Sequence, residues 1–204
     1  MYKNPVIVFE GIEGSGKTYH LKCVSAYLKK KKIDFIKLRE PGGSKNSEKI
    51  RKLILNNKIN FNKNTDLLLY LAARSENIAI IKKNYNKKVI LIDRFIDSTI
   101  AYQHYGLGVN LKILKTINNY LLMGLKINFT FLNIVNKKNM KKRLNKRKNL
   151  NRYDKFSDSF YKKVQNGFLK ISFKNKKKYL IIDSNKDIDL NKNKIIKKID
   201  QLIR

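Results

Sequence analysis

The sequence predicts an α/β chain: a three-layer α/β/α sandwich around a central five-stranded parallel sheet. Three observations predict it. Short apolar runs alternate with longer helical patterns along nearly the whole chain. The runs are continuously apolar rather than alternating, as expected of strands covered on both faces. A glycine-rich turn also sits where the first run should hand over to the first helix.

The elements follow in order. Strands are expected at 5–10, 33–38, 88–93, 128–134 and 178–183, each rich in Val, Ile, Phe or Leu. Helices are expected near 16–31, 46–57, 64–84, 110–124, 136–147, 156–174 and 190–203. Within 64–84, Leu67, Leu68, Leu71, Ala72, Ile78 and Ile81 keep helical spacing. Strand–helix alternation of this kind calls for right-handed crossovers. With 204 residues and a 42% hydrophobic fraction, one globular domain with a substantial core is expected.

Composition narrows the partners. The formal net charge is +32, which raises the prospect of a nucleic-acid partner. Lys, Asn and Ile are nevertheless spread evenly, as A/T-rich coding alone would spread them. Arg, the residue suited to bidentate recognition, is scarce: Arg39, Arg51, Arg74, Arg94, Arg143, Arg147, Arg152 and Arg204. No specific nucleic-acid partner is therefore expected, beyond weak salt-sensitive adhesion. No membrane association is expected either, because no apolar run approaches ~20 residues and no signal pattern precedes the first strand. The single cysteine, Cys23, permits no intrachain disulfide and fits a reducing, cytoplasmic setting.

The most informative stretch is the turn itself: Gly11, Ile12, Glu13, Gly14, Ser15, Gly16, Lys17 and Thr18. It completes the pattern G-x-x-x-x-G-K-[ST] of a P-loop NTPase. Its backbone N–H groups cradle phosphates, Lys17 neutralises the β and γ phosphates, and the Thr18 hydroxyl is suited to Mg²⁺. ATP and Mg²⁺ are thus the expected cofactors. The loop fixes nucleotide binding and leaves the reaction open.

Motifs downstream narrow the reaction. Arg39-Glu40-Pro41-Gly42-Gly43 follows the second strand. Asp93-Arg94-Phe95 closes the third, followed by Asp97-Ser98-Thr99-Ile100-Ala101-Tyr102-Gln103, and Asn151-Arg152-Tyr153-Asp154 ends a basic segment. With these motifs in register from about Val6 to Asp183, the chain resembles the thymidylate kinase family of nucleoside monophosphate kinases. The resemblance implies transfer of the γ-phosphoryl group of ATP to dTMP, giving dTDP and ADP on the route to dTTP. It also implies a homodimer, with dTMP and ATP as small-molecule substrates.

Carried over by position, the resemblance makes Lys17, Asp93, Arg94, Arg147 and Arg152 the catalytic set. Thr18 and Asp93 would hold the metal. Arg94 and Arg51 would grip the dTMP phosphate, Tyr70 would stack on thymine, and Arg74 would reach a pyrimidine oxygen. Gln103 would bond the base edge, Tyr102 would crowd the 2′ position of the sugar, and Glu13 would read its 3′-hydroxyl; Ser98 belongs to the same substrate set. Because the phosphate loop contains no Arg, the catalytic cation must come from a mobile basic lid at about 141–154. Arg147 and Arg152 are the candidates, with Arg143 behind them.

Several residues also admit plainer roles: Asp93 as a strand-end cap, Arg51 as a solvated helix charge, Tyr70 as a core aromatic, Glu13 as a loop charge. The chain departs from the family pattern at Tyr19-His20, at Asn151 before the lid Arg, and at Ile127-Asn128 before the fourth strand. Two other functions stay open on sequence alone. One is a broader kinase for pyrimidine monophosphates, dUMP included, since one methyl group separates the bases by only about 1–3 kcal/mol. The other is a basic, nucleic-acid-associated P-loop ATPase.

Overall fold

In the computed structural model, residues 4–147 and 150–203 are described. Five strands form one sheet: β1 (Val6–Glu10), β2 (Phe35–Arg39), β3 (Val89–Asp93), β4 (Phe129–Ile134) and β5 (Tyr179–Asp183). Their spatial order is β2-β3-β1-β4-β5. All four pairings are parallel, with Phe9 opposite Asp93 and Phe131 on either side of β1.

The helices are α1 (Lys17–Lys30), α2 (Lys45–Leu55), α3 (Lys63–Asn84), α4 (Ile96–Thr99, continued as a π-helical stretch Ile100–Gly106), α5 (Leu111–Leu122), α6 (Lys137–Leu144), α7 (Asp158–Lys174) and α8 (Ile188–Ile203). The abundant Asn residues have a local use as helix starts. Asn62, Asn110 and Asn136 each accept a backbone N–H at the head of α3, α5 and α6. Each such cap is worth about 1 kcal/mol.

Period-two side chains divide the core. Ile7 and Phe9 of β1 point to one face, where Leu21, Val24 and Leu28 of α1 and Ile195, Ile199 and Leu202 of α8 cover them. Val6 and Val8 point to the other, against Ile78 and Ile81 of α3. On that second face, farther along the sheet, Leu132 joins Tyr102, Tyr161, Val164 and Phe168. Each fully buried Ile or Phe contributes about 1.5–3 kcal/mol. This two-sided burial is why β1 and β3 read as unbroken apolar runs.

Most element bounds shift by one to three residues from expectation, and three differences have a visible cause. Ile33 and Asp34 precede β2, because the Ile33 N–H donates to Leu28 O and finishes α1 instead. The last helix starts earlier, at Ile188, where the Asp187 carboxylate accepts from Asp189 and Leu190 N–H. The third is a helix the sequence reading left unassigned. α4 and its π-helical continuation carry the whole Ser98–Gln103 motif. Two glycines press this stretch against α7: a Cβ on Gly167 would lie 2.6 Å from the Tyr105 ring, and one on Gly106 2.7 Å from Phe160.

Candidate active site

The carboxyl ends of β1 and β3 lie side by side, and the functional side chains collect above them, as in open parallel sheets generally. β1 runs straight into the phosphate loop. Gly11 there has φ +139°, and a Cβ would sit 2.2 Å from Asn133 O, so only glycine fits. Lys17 folds back into the loop, donating to Ile12 O at 2.9 Å. Burial and the nearby Arg94 charge lower its pKa to about 8. At the head of α1, Thr18 Oγ1 donates to Asp93 Oδ2 at 2.8 Å.

Facing the loop is a cavity of about 240 Å³ lined from seven parts of the fold. Glu13, Lys17 and Thr18 come from the phosphate loop, Glu40 and Pro41 from the turn after β2, and Arg51 from α2. Tyr70 and Arg74 come from α3, Asp93 from the end of β3 with Arg94 directly after it, and Ser98, Tyr102 and Gln103 from α4 and its continuation. Arg147, Asn151 and Tyr153 close it from the segment beyond α6.

Arg94 occupies the centre. Its backbone is left-handed, with φ +67°, a conformation uncommon for a residue with a Cβ and frequent at functional positions. Nη2 donates to Glu13 Oε1 at 2.7 Å, and Nη1 to Gly11 O at 2.8 Å and Ser98 Oγ at 3.3 Å. The guanidinium lies 5.3 Å from the centre of the Tyr102 ring. Burial disfavours its charge, but Glu13, Tyr102 and Asp93 outweigh that and hold its pKa well above the usual Arg value. Glu13 is affected in the opposite sense: burial pushes its carboxyl up, and Arg94 and Lys17 pull it lower still, leaving it ionised. The Tyr102 hydroxyl also donates to Glu13.

Beneath Arg94 lies a buried carboxylate that the sequence reading passed over. Glu10, the last residue of β1, accepts from Phe95 N–H at 2.8 Å, Ser98 N–H at 3.2 Å and Ser98 Oγ at 2.5 Å. It therefore fixes the first turn of α4 directly after Arg94. Burial, then the neighbouring Asp97, raise its pKa. No sequence signal beyond a charged residue ending an apolar strand could have marked it.

The structure brings Arg51, Tyr70, Arg74, Arg94, Ser98, Tyr102, Gln103 and Arg147 to this one cavity. They do not stand there alike. Arg51 is half-buried and donates from Nη1 to Pro41 O at 2.6 Å. Arg74 is 1% exposed and embedded: it donates to Glu40 Oε2 from Nε and Nη2 (2.8 and 2.6 Å), to Asn118 Oδ1 at 2.5 Å and to Thr99 Oγ1 at 2.8 Å. Four of its five N–H donors thus serve the protein. Gln103 is also 1% exposed, yet its Nε2 has no partner among the described residues. A buried, unsatisfied amide donor costs about 1–3 kcal/mol and so marks a place awaiting an acceptor.

The expected lid resolves into different roles. Arg143 lies directly on the phosphate loop, with Nη1 on Gly14 O at 2.8 Å and Nη2 on Ser184 O at 2.6 Å. Arg147 lines the cavity and pairs with Asp154 at 2.6 Å. Arg152 is directed to Asp66 on α3 instead. Residues 148 and 149 of the expected lid lie outside the described residues.

With this geometry in view, the chain can be compared with known proteins. A family model described as thymidylate kinase matches residues 9–195. The chain belongs to the thymidylate kinase family. The thymidylate kinase of Thermosipho africanus (strain TCF52B) is 40% identical over 185 residues, covering 90% of this chain and 91% of that protein. That of Sulfurihydrogenibium sp. (strain YO3AOP1) is also 40% identical over 185 residues, covering 89% and 90%. Among solved structures, the crystal structure of thymidylate kinase from Ehrlichia chaffeensis superposes with a TM-score of 0.77 at 29% identity. It covers 96% of this chain and 98% of that one. The thymidylate kinase fold thus extends over essentially all the described residues, and no helix among them is long and apolar enough to cross a membrane.

Proposed function

We propose that this member of the thymidylate kinase family transfers the γ-phosphoryl group of ATP to dTMP. The observation that carries the reading is the cavity beside the phosphate loop. Arg51 and Arg94 line it together with the aromatic Tyr70 and the Gln103 amide, unsatisfied among the described residues. A nucleoside monophosphate matches that set: a dianion for the guanidinium groups, a flat base for Tyr70, and a pyrimidine carbonyl for Gln103 Nε2. Glu13 and Tyr102, already bonded to each other, suit the sugar. Arg74 is best placed to back the base site through its fixed network.

In the reaction an oxygen of the dTMP phosphate bonds to the γ-phosphorus. The bond from that phosphorus to the β–γ bridging oxygen breaks, and ADP leaves with the electron pair. Two anions must approach, so the site's task is positioning and charge cancellation. Lys17 exchanges Ile12 O for the donor phosphates, Arg94 holds the acceptor phosphate in line, and Arg147 supplies the lid cation. Thr18 Oγ1 and Asp93 Oδ2 present a hydroxyl and a carboxylate oxygen side by side, a donor set that fits Mg²⁺. When bound there, Mg²⁺ supplies further neutralisation of the β and γ oxygens. A basic lid at about 141–154 that excludes water completes the reading.

We place the enzyme in the cytoplasm as a homodimer. Support comes from its lone cysteine and from Leu53 on α2 and Leu68 on α3, 47% and 59% exposed. Sedimentation should give twice the 24.0 kDa chain mass.

An ADP-release assay with dTMP, dUMP, DNA or no acceptor tests the function. ADP release should depend on dTMP, fall with dUMP, and ignore DNA. Release driven by DNA, or equal with and without dTMP, would remove the kinase reading.

A further inference from the structure

Asp66, in the first turn of α3, is 3% exposed and has both carboxylate oxygens engaged by one distant segment. Arg152 Nη2 donates to Oδ1, and the Tyr153 hydroxyl donates to Oδ2. The guanidinium of Arg152 is further enclosed by the Phe61 and Tyr153 rings, at 5.7 and 5.1 Å. It is therefore seated in a built socket.

What hangs from that socket is the roof of the cavity. Tyr153 lines the cavity and meets Tyr70 and Tyr102 edge-on, at ring distances of 6.0 and 5.8 Å. The next residue, Asp154, accepts from Asn151 N–H at 2.9 Å and Nδ2 at 2.6 Å with one oxygen, and from Arg147 at 2.6 Å with the other. The bonds run without a break from α3, through the turn at 151–154, to the one lid Arg that lines the cavity.

We infer that Asp66 is a positioning residue: it anchors the turn that carries Tyr153 and aims Arg147, with Arg152 as the ionic half of the anchor rather than a ligand of the transferred phosphoryl group. This deepens the kinase reading and rests on it only for the catalytic readout. Because Tyr70 lies one turn from Asp66 on the same helix, the arrangement ties the base site to the placement of the lid cation. Reorienting a catalytic group by an ångström can cost roughly a hundredfold in rate.

A double-mutant cycle tests it. Asp66→Asn keeps the size and removes the charge, and Arg152→Gln removes the partner from the other side. Each should lower kcat for dTMP roughly ten- to a hundredfold, and the double variant should be no worse than the poorer single one, since both break one bond. Losses that multiply would show Arg152 acting on phosphate independently and would overturn the inference. So would an unchanged kcat with only a lower Tm, which is the mark of a structural peg. The chain has no tryptophan, so Leu150→Trp provides a reporter that needs no turnover. Its fluorescence anisotropy should drop when Asp66→Asn is added; equal anisotropy would also overturn the inference. A wild-type protein that ignores dTMP, together with that drop in the Leu150→Trp pair, would refute the kinase reading and leave the anchor standing.

Discussion

The two ends of the cavity are built by different means. At the donor end, eight consecutive residues form the site, the backbone supplies most of it, and the cations rest on main-chain carbonyls: Lys17 on Ile12, Arg143 on Gly14 and Ser184. At the acceptor end, Arg51, Arg74 and Arg94 come from different elements and two of the three are held by carboxylates: Arg94 by Glu13 and Arg74 by Glu40. A cation resting on a carbonyl is easily released to a phosphate. One paired with a buried carboxylate is fixed in place. Donor residues should thus act mainly on rate, and acceptor residues on binding, stability and alignment.

The largest expected effect is at the donor end. Lys17→Ala should lower kcat by about 10²–10³, the usual cost of losing one transition-state cation or donor, while dTMP binding measured by calorimetry stays intact. Loss of dTMP binding would show that the two ends are not separable. Next, Arg74→Ala leaves Glu40 buried without its partner and should destabilise the fold by about 3–5 kcal/mol. A thermal melt checks this, and an unchanged Tm with lost activity would make Arg74 a direct substrate ligand. Tyr70→Ala should raise the KM for dTMP about two- to tenfold, since aromatic stacking is worth about 0.5–1.5 kcal/mol. The KM for ATP should move less than twofold, by the rough additivity of distant sites.

A smaller effect concerns pH. Burial holds the nucleotide-free Lys17 near a pKa of about 8. Phosphate binding restores its charge, so ATP must bring a proton above that pH. Affinity should be level just below pH 8 and decline above it, and Lys17→Arg should flatten the decline. His20 gives a second, independent signal: burial lowers its pKa to about 4. The unfolded chain binds that proton first, so stability should be intact above ~6.5 and fall as pH drops toward 4. His20→Gln should remove that part of the acid sensitivity.

The same contrast governs what could be read from residues alone. The phosphate loop is contiguous and its chemistry is written in order. The central strands β1 and β3 were legible because burial on two faces leaves unbroken apolar runs, whereas edge strand β2 is interrupted by the exposed Lys37. α4 was not, because its π-helical stretch abandons the 3.6-residue period, although its residues had been singled out individually. The sequence offered both Arg147 and Arg152 as candidates, Arg152 being the one in register with the family's lid motif. Their separation depends on Asp66, 86 residues from Arg152, and no local pattern encodes that pairing. Arg74 was expected to face the base; its bonds to Glu40, Asn118 and Thr99 are likewise long-range facts. Even the excess of Asn, plain coding bias in composition, proved to cap helices.

The most direct measurement is calorimetric titration of dTMP into the nucleotide-free protein and its Arg94→Ala variant. Saturable one-to-one heat in the wild type, lost in the variant, is the predicted result. No heat in the wild type, or equal heat in both, would contradict a guanidinium-lined acceptor site.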